Sequence, residues 1–151
     1  LGDVYKRQDM YDAVTEEAKN SDIIIKAAAV ADYTPLNVSD NKIKKKDGDM
    51  SIALKRTKDI IGTLGEHKKE GQFICGFSME TENVIANSKD KLIKKNMDMI
   101  VANNVKVAGA GFGTDTNVVT IITGEDNIEL PMMSKEDVAS KILDFIMAKR
   151  R

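Results

Sequence analysis

Three short apolar runs, each set between stretches of helical period, constrain this chain more than any other feature. Ile23–Ala29 (IIIKAAA), Phe73–Phe77 (FICGF) and Met99–Ala102 (MIVA) are consecutive rather than alternating, the pattern of strands covered on both faces of a parallel sheet. Around them, Asp9–Asn20 puts Met10, Ala13, Val14 and Ala18 at helical spacing, and Lys58–Lys68 predicts a helix with Thr57 as its N-cap. Glu82–Lys95 repeats Val84, Ile85, Asn87/Ser88, Leu92 and Ile93, and Lys135–Ala148 predicts an amphipathic helix capped by Ser134. Ser51–Leu54 reads as a short strand, while Val30–Asn41, the lysine-rich turn Lys42–Asp49 and the glycine-bearing Val105–Thr116 read as loops. Val118–Thr123 and Ile128–Leu130 flank a turn and predict a hairpin. Strands alternating with helices give one α/β domain, its mostly parallel sheet closed at one edge by an antiparallel hairpin.

Composition excludes several classes. A length of 151 residues suits about one domain. No apolar run approaches the ~20 residues of a membrane helix. A single cysteine, Cys75, and a single histidine, His67, exclude an internal disulfide and a Cys/His zinc site. Cys75 sits within a strand and His67 beside Lys68 and Lys69, so neither is expected to act as nucleophile or base. With 23 Lys+Arg against 24 Asp+Glu the net charge is −1, and no global field draws the chain to nucleic acid or anionic lipid. Gly109-Ala110-Gly111-Phe112-Gly113 lacks GxGxxG spacing, and no strand leads into that motif, so a nicotinamide-dinucleotide site is not expected. Leu1–Gln8 (LGDVYKRQ) is set aside: Asp3–Gln8 is what one reading frame of a common sequencing-library transposon end encodes. The expectation is that residues 1–8 are a sequencing-adapter artefact, residues 9–151 the domain, and that the natural protein extends further upstream.

In open α/β sheets ligands bind outside the carboxyl ends of the strands, which picks out the loop after Ala29, the turn after Phe77, the loop after Ala102 and the helix start near Thr57; three clusters of residues stand out. Small residues at Ala27–Ala29 let a ligand approach the backbone, with Asp32 as a hydrogen-bond acceptor and Lys42, Lys44, Lys45 and Lys46 on the turn beyond. Lysines suit a polyphosphate because each ammonium is a point charge on a flexible stem. Lys91 and Lys95, at i and i+4, share one helix face and repel unless an anion or solvent screens them. Thr57-Lys58-Asp59-Ile60-Ile61 opens a helix whose free N–H groups suit an anion. Each cluster has a purely structural alternative: a capped turn, a solvated lysine face, or an acid complementing a helix dipole.

Taken in order, AAAVADY (Ala27–Tyr33), KIKK (Lys42–Lys45), TKDI (Thr57–Ile60), GFSMET (Gly76–Thr81), Lys91-Leu92-x-x-Lys95 and DMIVAN (Asp98–Asn103) resemble phosphopantothenate–cysteine ligase. In bacteria this ligase is usually the C-terminal domain of a bifunctional coenzyme A biosynthesis protein. The resemblance implies a Rossmann-like three-layer sandwich, a cytoplasmic homodimer, CTP as co-substrate and Mg2+, with FMN only where a decarboxylase domain is fused upstream. The implied reaction joins L-cysteine to 4′-phosphopantothenate. The carboxylate attacks the α-phosphate of CTP, pyrophosphate leaves, and the cysteine amine displaces CMP from the acyl-cytidylate. Residue by residue, it assigns Lys42 as the catalytic lysine, and Ala27, Ala28, Asp32, Lys42, Lys58, Asp59, Ile60, Ile61, Phe77, Lys91 and Lys95 as nucleotide contacts.

The chain departs from the family pattern in three places. Thr57-Lys58-Asp59 stands where Asn-Pro-Asp is usual, Asn104 replaces an aspartate after Ala102-Asn103, and the first strand with its glycine-rich loop is lacking. Two alternatives stay open: a non-catalytic nucleotide-binding or dimerisation fragment, and an ATP-using ligase of the same fold. The ligase reading requires Lys42, Lys91 and Lys95 to converge around one triphosphate.

Overall fold

The computed structural model describes residues 7–39, 41–44, 48–80, 83–104, 107 and 113–150. The elements run α1 (Arg7–Glu17, continued by a 3-10 turn at Ala18–Asn20), β1 (Ile23–Lys26), β2 (Tyr33–Pro35), β3 (Leu54–Arg56), α2 (Ile60–Glu66), β4 (Phe73–Glu80), α3 (Val84–Lys94) and β5 (Met99–Asn104). They end with β6 (Thr116–Asn117), β7 (Val119–Ile122), β8 (Asn127–Glu129), β9 (Met133–Ser134) and α4 (Lys135–Lys149). Of the segment set aside above, residues 1–6 lie outside the described residues, while Arg7 and Gln8 begin α1.

The main sheet has the order β1-β4-β5-β7-β8. β1, β4 and β5 are parallel, and β7 and β8 extend the β5 edge as an antiparallel hairpin. Two small antiparallel ribbons, β2 with β3 and β6 with β9, lie outside it. Period-two alternation divides the strand side chains between two faces. Phe73, Cys75, Met99, Val101, Val119 and Ile121 pack against Val138, Ile142 and Ile146 of α4. Ile74 and Ile100 face the other way, into a cluster with Ile60, Ile61 and Leu64 of α2, Leu92 of α3 and Met97; Met10, Tyr11 and Val14 of α1 pack against it. The result is a three-layer sandwich, as the family resemblance implies.

Local chemistry explains where the elements begin. Ser134 caps α4 by accepting the Asp137 amide at 3.0 Å. Both ends of α3 are set by asparagines in the left-handed region, Asn83 and Asn96, each at φ +48. At the amino ends of the strands, the Asp98 carboxylate accepts the Ile74 amide at 2.7 Å and the Lys68 ammonium at 2.6 Å, which fixes β4 against the turn into β5.

Several sequence expectations need correction. The run at 23–29 is strand only through Lys26, and it is an edge strand of the sheet: Ile25 is 39% exposed and Ala27–Ala29 are exposed. Three adjacent isoleucines look like an interior strand, yet only one edge of β1 is paired among the described residues. The region read as loop between 30 and 41 contains β2, whose partner β3 lies three residues later than the predicted strand start. The cap of α2 is Asp59 rather than Thr57. On α3 only Ser88 and Leu92 are buried, while Ile85 and Ile93 are exposed. Lys45, Lys46 and most of the glycine-rich segment, 108–112, lie outside the described residues.

Cys75 is fully buried, and desolvation, reinforced by the charge of Asp98, pushes its thiol up to about 12. Because the thiolate is the nucleophile, iodoacetamide at pH 8.5 should leave the native protein unmodified. It should alkylate Cys75 fully in denaturant, as mass spectrometry would record. Native labelling at comparable speed would mean that β4 opens readily.

Candidate functional site

A cleft of about 300 Å³ opens where the carboxyl ends of β1 and β4 meet the start of α2 and the end of α3. Parallel pairing puts it there: Lys26, the last residue of β1, is registered beside Gly76, so β1 leaves the sheet where β4 runs on to Glu80 beside β5 alone. The walls include Lys26, Asp32, Lys58, Asp59, Phe77, Ser78, Lys91 and Lys95, with Ile60, Ile61, Met97 and Ile100 behind them. Gly76 lies between these walls, and its lack of a side chain keeps the floor open. A Cβ there would stand 2.7 Å from Ile61 Cδ1 and 2.9 Å from Met97 Sδ.

The walls are held by specific contacts. Thr57, free of the predicted cap role, donates its hydroxyl to the Ala31 carbonyl at 2.8 Å and its amide to the Asp32 carbonyl at 2.9 Å. This ties the loop after β1 to the entrance of α2. Asp59 accepts the Gly62 amide at 3.1 Å and the Lys95 ammonium at 2.8 Å, linking the first turn of α2 to the residue that follows α3. Asn96 donates to the Gly65 carbonyl at 2.9 Å, a second link between these two elements. Lys58 lies 4.4 Å from the centroid of the Tyr11 ring, a cation–π contact that brings α1 to the rim. The Ser78 and Ser88 hydroxyls, 3.2 Å apart, join β4 to α3.

The cleft is locally positive, with four lysines and two aspartates in its walls. Burial works against the charge on Asp59. The hydrogen bonds from Lys95 and from the Gly62 amide, with the fields of Lys95 and Lys26, outweigh it and hold the carboxyl below its ordinary range. Burial also pushes the Lys26 ammonium below the usual lysine range; Lys95 adds to that push, and Asp59 and Asp32 resist it.

A carboxyl whose folded pKa is depressed stabilises the protein above its unfolded pKa and loses that contribution as pH falls through the folded value. Asparagine at 59 keeps the cap and removes only the charge. With Asp59 54% exposed and its partner 29% exposed, Asp59→Asn should cost about 0.5 kcal/mol at pH 7. The difference from the parent should shrink as pH falls below the ordinary aspartate range and vanish only once pH has passed below the lowered folded pKa of Asp59, where both carry a neutral group. A series of urea melts from pH 7 down to about pH 2 reads this; a deficit that stays constant across the whole series would show that the charge is not the cause.

Of the residues picked out in the sequence, Asp32, Lys58, Asp59, Ile60, Ile61, Phe77, Lys91 and Lys95 line one cleft, although they come from four separated segments. Ala27 and Ala28 are exposed just beyond β1 and do not line it, though Ala28 touches the site through its carbonyl, which accepts Lys26 Nζ at 3.0 Å. Lys42 is exposed on the segment after β2 and is not among the lining residues, so the expected convergence of three lysines is met by two: Lys91 and Lys95 share the cleft, and Lys42 does not line it. Lys26 was missed. It interrupts an apolar run and reads there as an irregularity; only the β1–β4 pairing reveals that it ends at the cleft. Among the described residues no group of three His, Cys, Asp or Glu side chains is arranged to cage a metal ion, and no helix is long and apolar enough to cross a membrane.

Comparison with known proteins agrees with the fold. The family model described as "DNA/pantothenate metabolism flavoprotein C-terminal domain" matches residues 1–149. The chain is 52% identical over 146 residues to the coenzyme A biosynthesis bifunctional protein CoaBC of Bacillus subtilis, covering 96% of this chain and 36% of that protein. It is 46% identical over 146 residues to a protein of an unknown prokaryotic organism named cysteine/cysteine sulfinic acid decarboxylase, covering 96% of this chain and 41% of that protein. The chain therefore spans roughly two fifths or less of the curated relatives it is compared with here. A crystal structure of the C-terminal domain of CoaBC superposes with a TM-score of 0.77 at 44% identity, over 97% of this chain and 65% of that one. By sequence and by fold, this chain belongs to the DNA/pantothenate metabolism flavoprotein C-terminal domain family.

Proposed function

We propose that this domain serves the ligation of L-cysteine to 4′-phosphopantothenate, activated by CTP through an acyl-cytidylate, in coenzyme A biosynthesis. The observation that carries the reading is the lysine-walled cleft at the carboxyl ends of β1 and β4, in a chain whose net charge is −1. Similarity to CoaBC supports the pathway, and the local field supports a polyphosphate.

Both half-reactions concentrate negative charge, first on the pentavalent α-phosphate and the departing pyrophosphate, then on departing CMP. Fixed ammonium groups stabilise such charge without reorganising. Lys91 and Lys95, with Asp59 orienting Lys95, are the residues proposed to hold the phosphate chain. Phe77, Ile60 and Ile61 supply the apolar wall for the nucleoside, and Lys42 is reserved for conversion of the acyl-cytidylate. Little proton-transfer machinery is demanded of the site. Magnesium is commonly held by one or two carboxylates plus substrate phosphates, and when bound it screens phosphate charge. Asp59 is already engaged by Lys95 and Gly62, so Asp32 at the rim is the carboxylate proposed to meet it. FMN enters this reading only where a decarboxylase domain accompanies the ligase domain.

A homodimer is the proposed assembly. Tyr33, Leu36, Val38, Ile52 and Leu54 are all at least 50% exposed on and beside the β2–β3 ribbon, an apolar surface suited to a second copy. Sedimentation should give twice the monomer mass; a monomer at micromolar concentration would refute the assembly.

The direct test supplies the full-length gene product with CTP, 4′-phosphopantothenate, L-cysteine and Mg2+, and follows pyrophosphate, CMP and the amide. Equimolar formation of all three is expected. Their absence, or ATP outcompeting CTP for the site, would remove the CTP-dependent reading.

A further inference from the structure

The last residue of β1 is a lysine that the family motifs leave without a role. Lys26 is half-buried, lines the cleft, and donates Nζ to the Ala28 carbonyl at 3.0 Å. Its ammonium lies in the field of charges from three other segments: Lys95 after α3, Asp59 at the cap of α2, and Asp32 in the loop after β1; Lys58 and Lys91 line the same walls. Asp59 is largely committed, holding the Lys95 ammonium at 2.8 Å and the Gly62 amide at 3.1 Å. Lys26 and Lys95 thus share a partly desolvated place in which Asp59 is already engaged and, of the two wall aspartates, only Asp32 is left to offset them. Burial and the repulsion of Lys95 outweigh the two carboxylates in working against the charge on Lys26. A tie to one backbone carbonyl needs only a neutral donor. A full charge held beside Lys95 costs stability unless an anion enters to complete the arrangement.

We infer that Lys26 is an additional polyphosphate-binding residue of the cleft, its ammonium turning from the Ala28 carbonyl to the phosphate chain of the bound nucleotide. The inference deepens the proposed function and rests on its placement of a nucleotide in this cleft. The chemistry it needs is more general: any linear polyphosphate would engage the same ammonium. Lysine suits the task because its flexible stem lets a point charge follow the anion.

The probe is inorganic tripolyphosphate, titrated calorimetrically into the 151-residue chain, with CTP and CMP titrated separately. A charged hydrogen bond of this kind corresponds to roughly a 10- to 150-fold change in affinity. Lys26→Gln keeps a donor for Ala28 and loses the charge; it should weaken tripolyphosphate and CTP by that factor and CMP by less than about twofold. Lys26→Arg should restore both to within about threefold of the parent. Independently of any variant, tripolyphosphate should shift the Lys26 ε-carbon resonance in lysine-labelled protein. An unchanged tripolyphosphate affinity in Lys26→Gln, an equal loss in the Gln and Arg variants, an unmoved Lys26 resonance, or no tripolyphosphate binding by the parent would each overturn the inference. Lys26-dependent tripolyphosphate binding without any preference for CTP would uphold it while removing the CTP reading.

Discussion

Alanine at position 42 should separate the two half-reactions. In the full-length gene product carrying Lys42→Ala, pyrophosphate should still be released from CTP in the presence of phosphopantothenate, while amide formation falls about 10²–10³-fold, the usual cost of removing one preorganised electrostatic contact. The position of Lys42 gives the reason for expecting so selective a loss. It is exposed on the segment after β2 and does not line the cleft, so under the proposed function it is expected to contribute less than Lys91 and Lys95 to holding the nucleotide in the ground state. In the proposed reaction its charge is called on only once the acyl-cytidylate exists and CMP must depart. Quenched-flow measurement of pyrophosphate and CMP in one reaction distinguishes the steps, and normal CMP output from the variant would refute the role. Loss of both products together would place Lys42 with Lys91 and Lys95 in nucleotide binding instead.

Gly65→Ala should be the most damaging small substitution near the site. A Cβ at residue 65 would lie 1.9 Å from the Lys95 carbonyl oxygen and 2.8 Å from its carbon, both backbone atoms that no rotamer change can move. Overpacking of this kind costs about 3 kcal/mol, and the better helix propensity of alanine returns about 1 kcal/mol. The net loss of ~2 kcal/mol should lower Tm by about 4–8 °C in a domain of this size. Gly124→Ala, where a Cβ meets nothing within 4 Å, is the control and should fall within about 0.5 kcal/mol of the parent. Thermal melts that place the two variants together would contradict the close approach of α2 to Lys95. Relief of the clash must displace Lys95, so Gly65→Ala should also weaken CTP binding although residue 65 lies outside the cleft walls.

The alternation of apolar strand runs with helical periods was sufficient to foresee the layers, because burial on two faces leaves a direct imprint on the order of residues. Phe73, Cys75, Met99 and Val101 beneath α4, with Ile74 and Ile100 beneath the other helices, carry that imprint. Edge position leaves none: β1, which reads as an interior strand, has only one paired edge among the described residues, and its isoleucines report propensity, not the number of its neighbours. Caps were legible only where no competing bond existed. Ser134 had no rival, whereas Thr57 was drawn to the Ala31 carbonyl and yielded the cap to Asp59. At the site, motifs identified the residues that line the cleft from α2, β4 and α3. Lys26 escaped because its significance arises from a neighbour in space, Gly76, fifty positions away in the chain.

The two left-handed asparagines that bracket α3 give that helix a fixed length. Seen from the Ser78–Ser88 contact, α3 works as a ruler that delivers Lys91 and Lys95 to a set height and bearing. One residue added between Ser88 and Lys91 would swing both ammonium groups by about 100° around the helix axis and carry them off the cleft. Selection can therefore exchange the exposed side chains of this helix that face neither the core nor the cleft, but it has almost no freedom to change the number of residues in it.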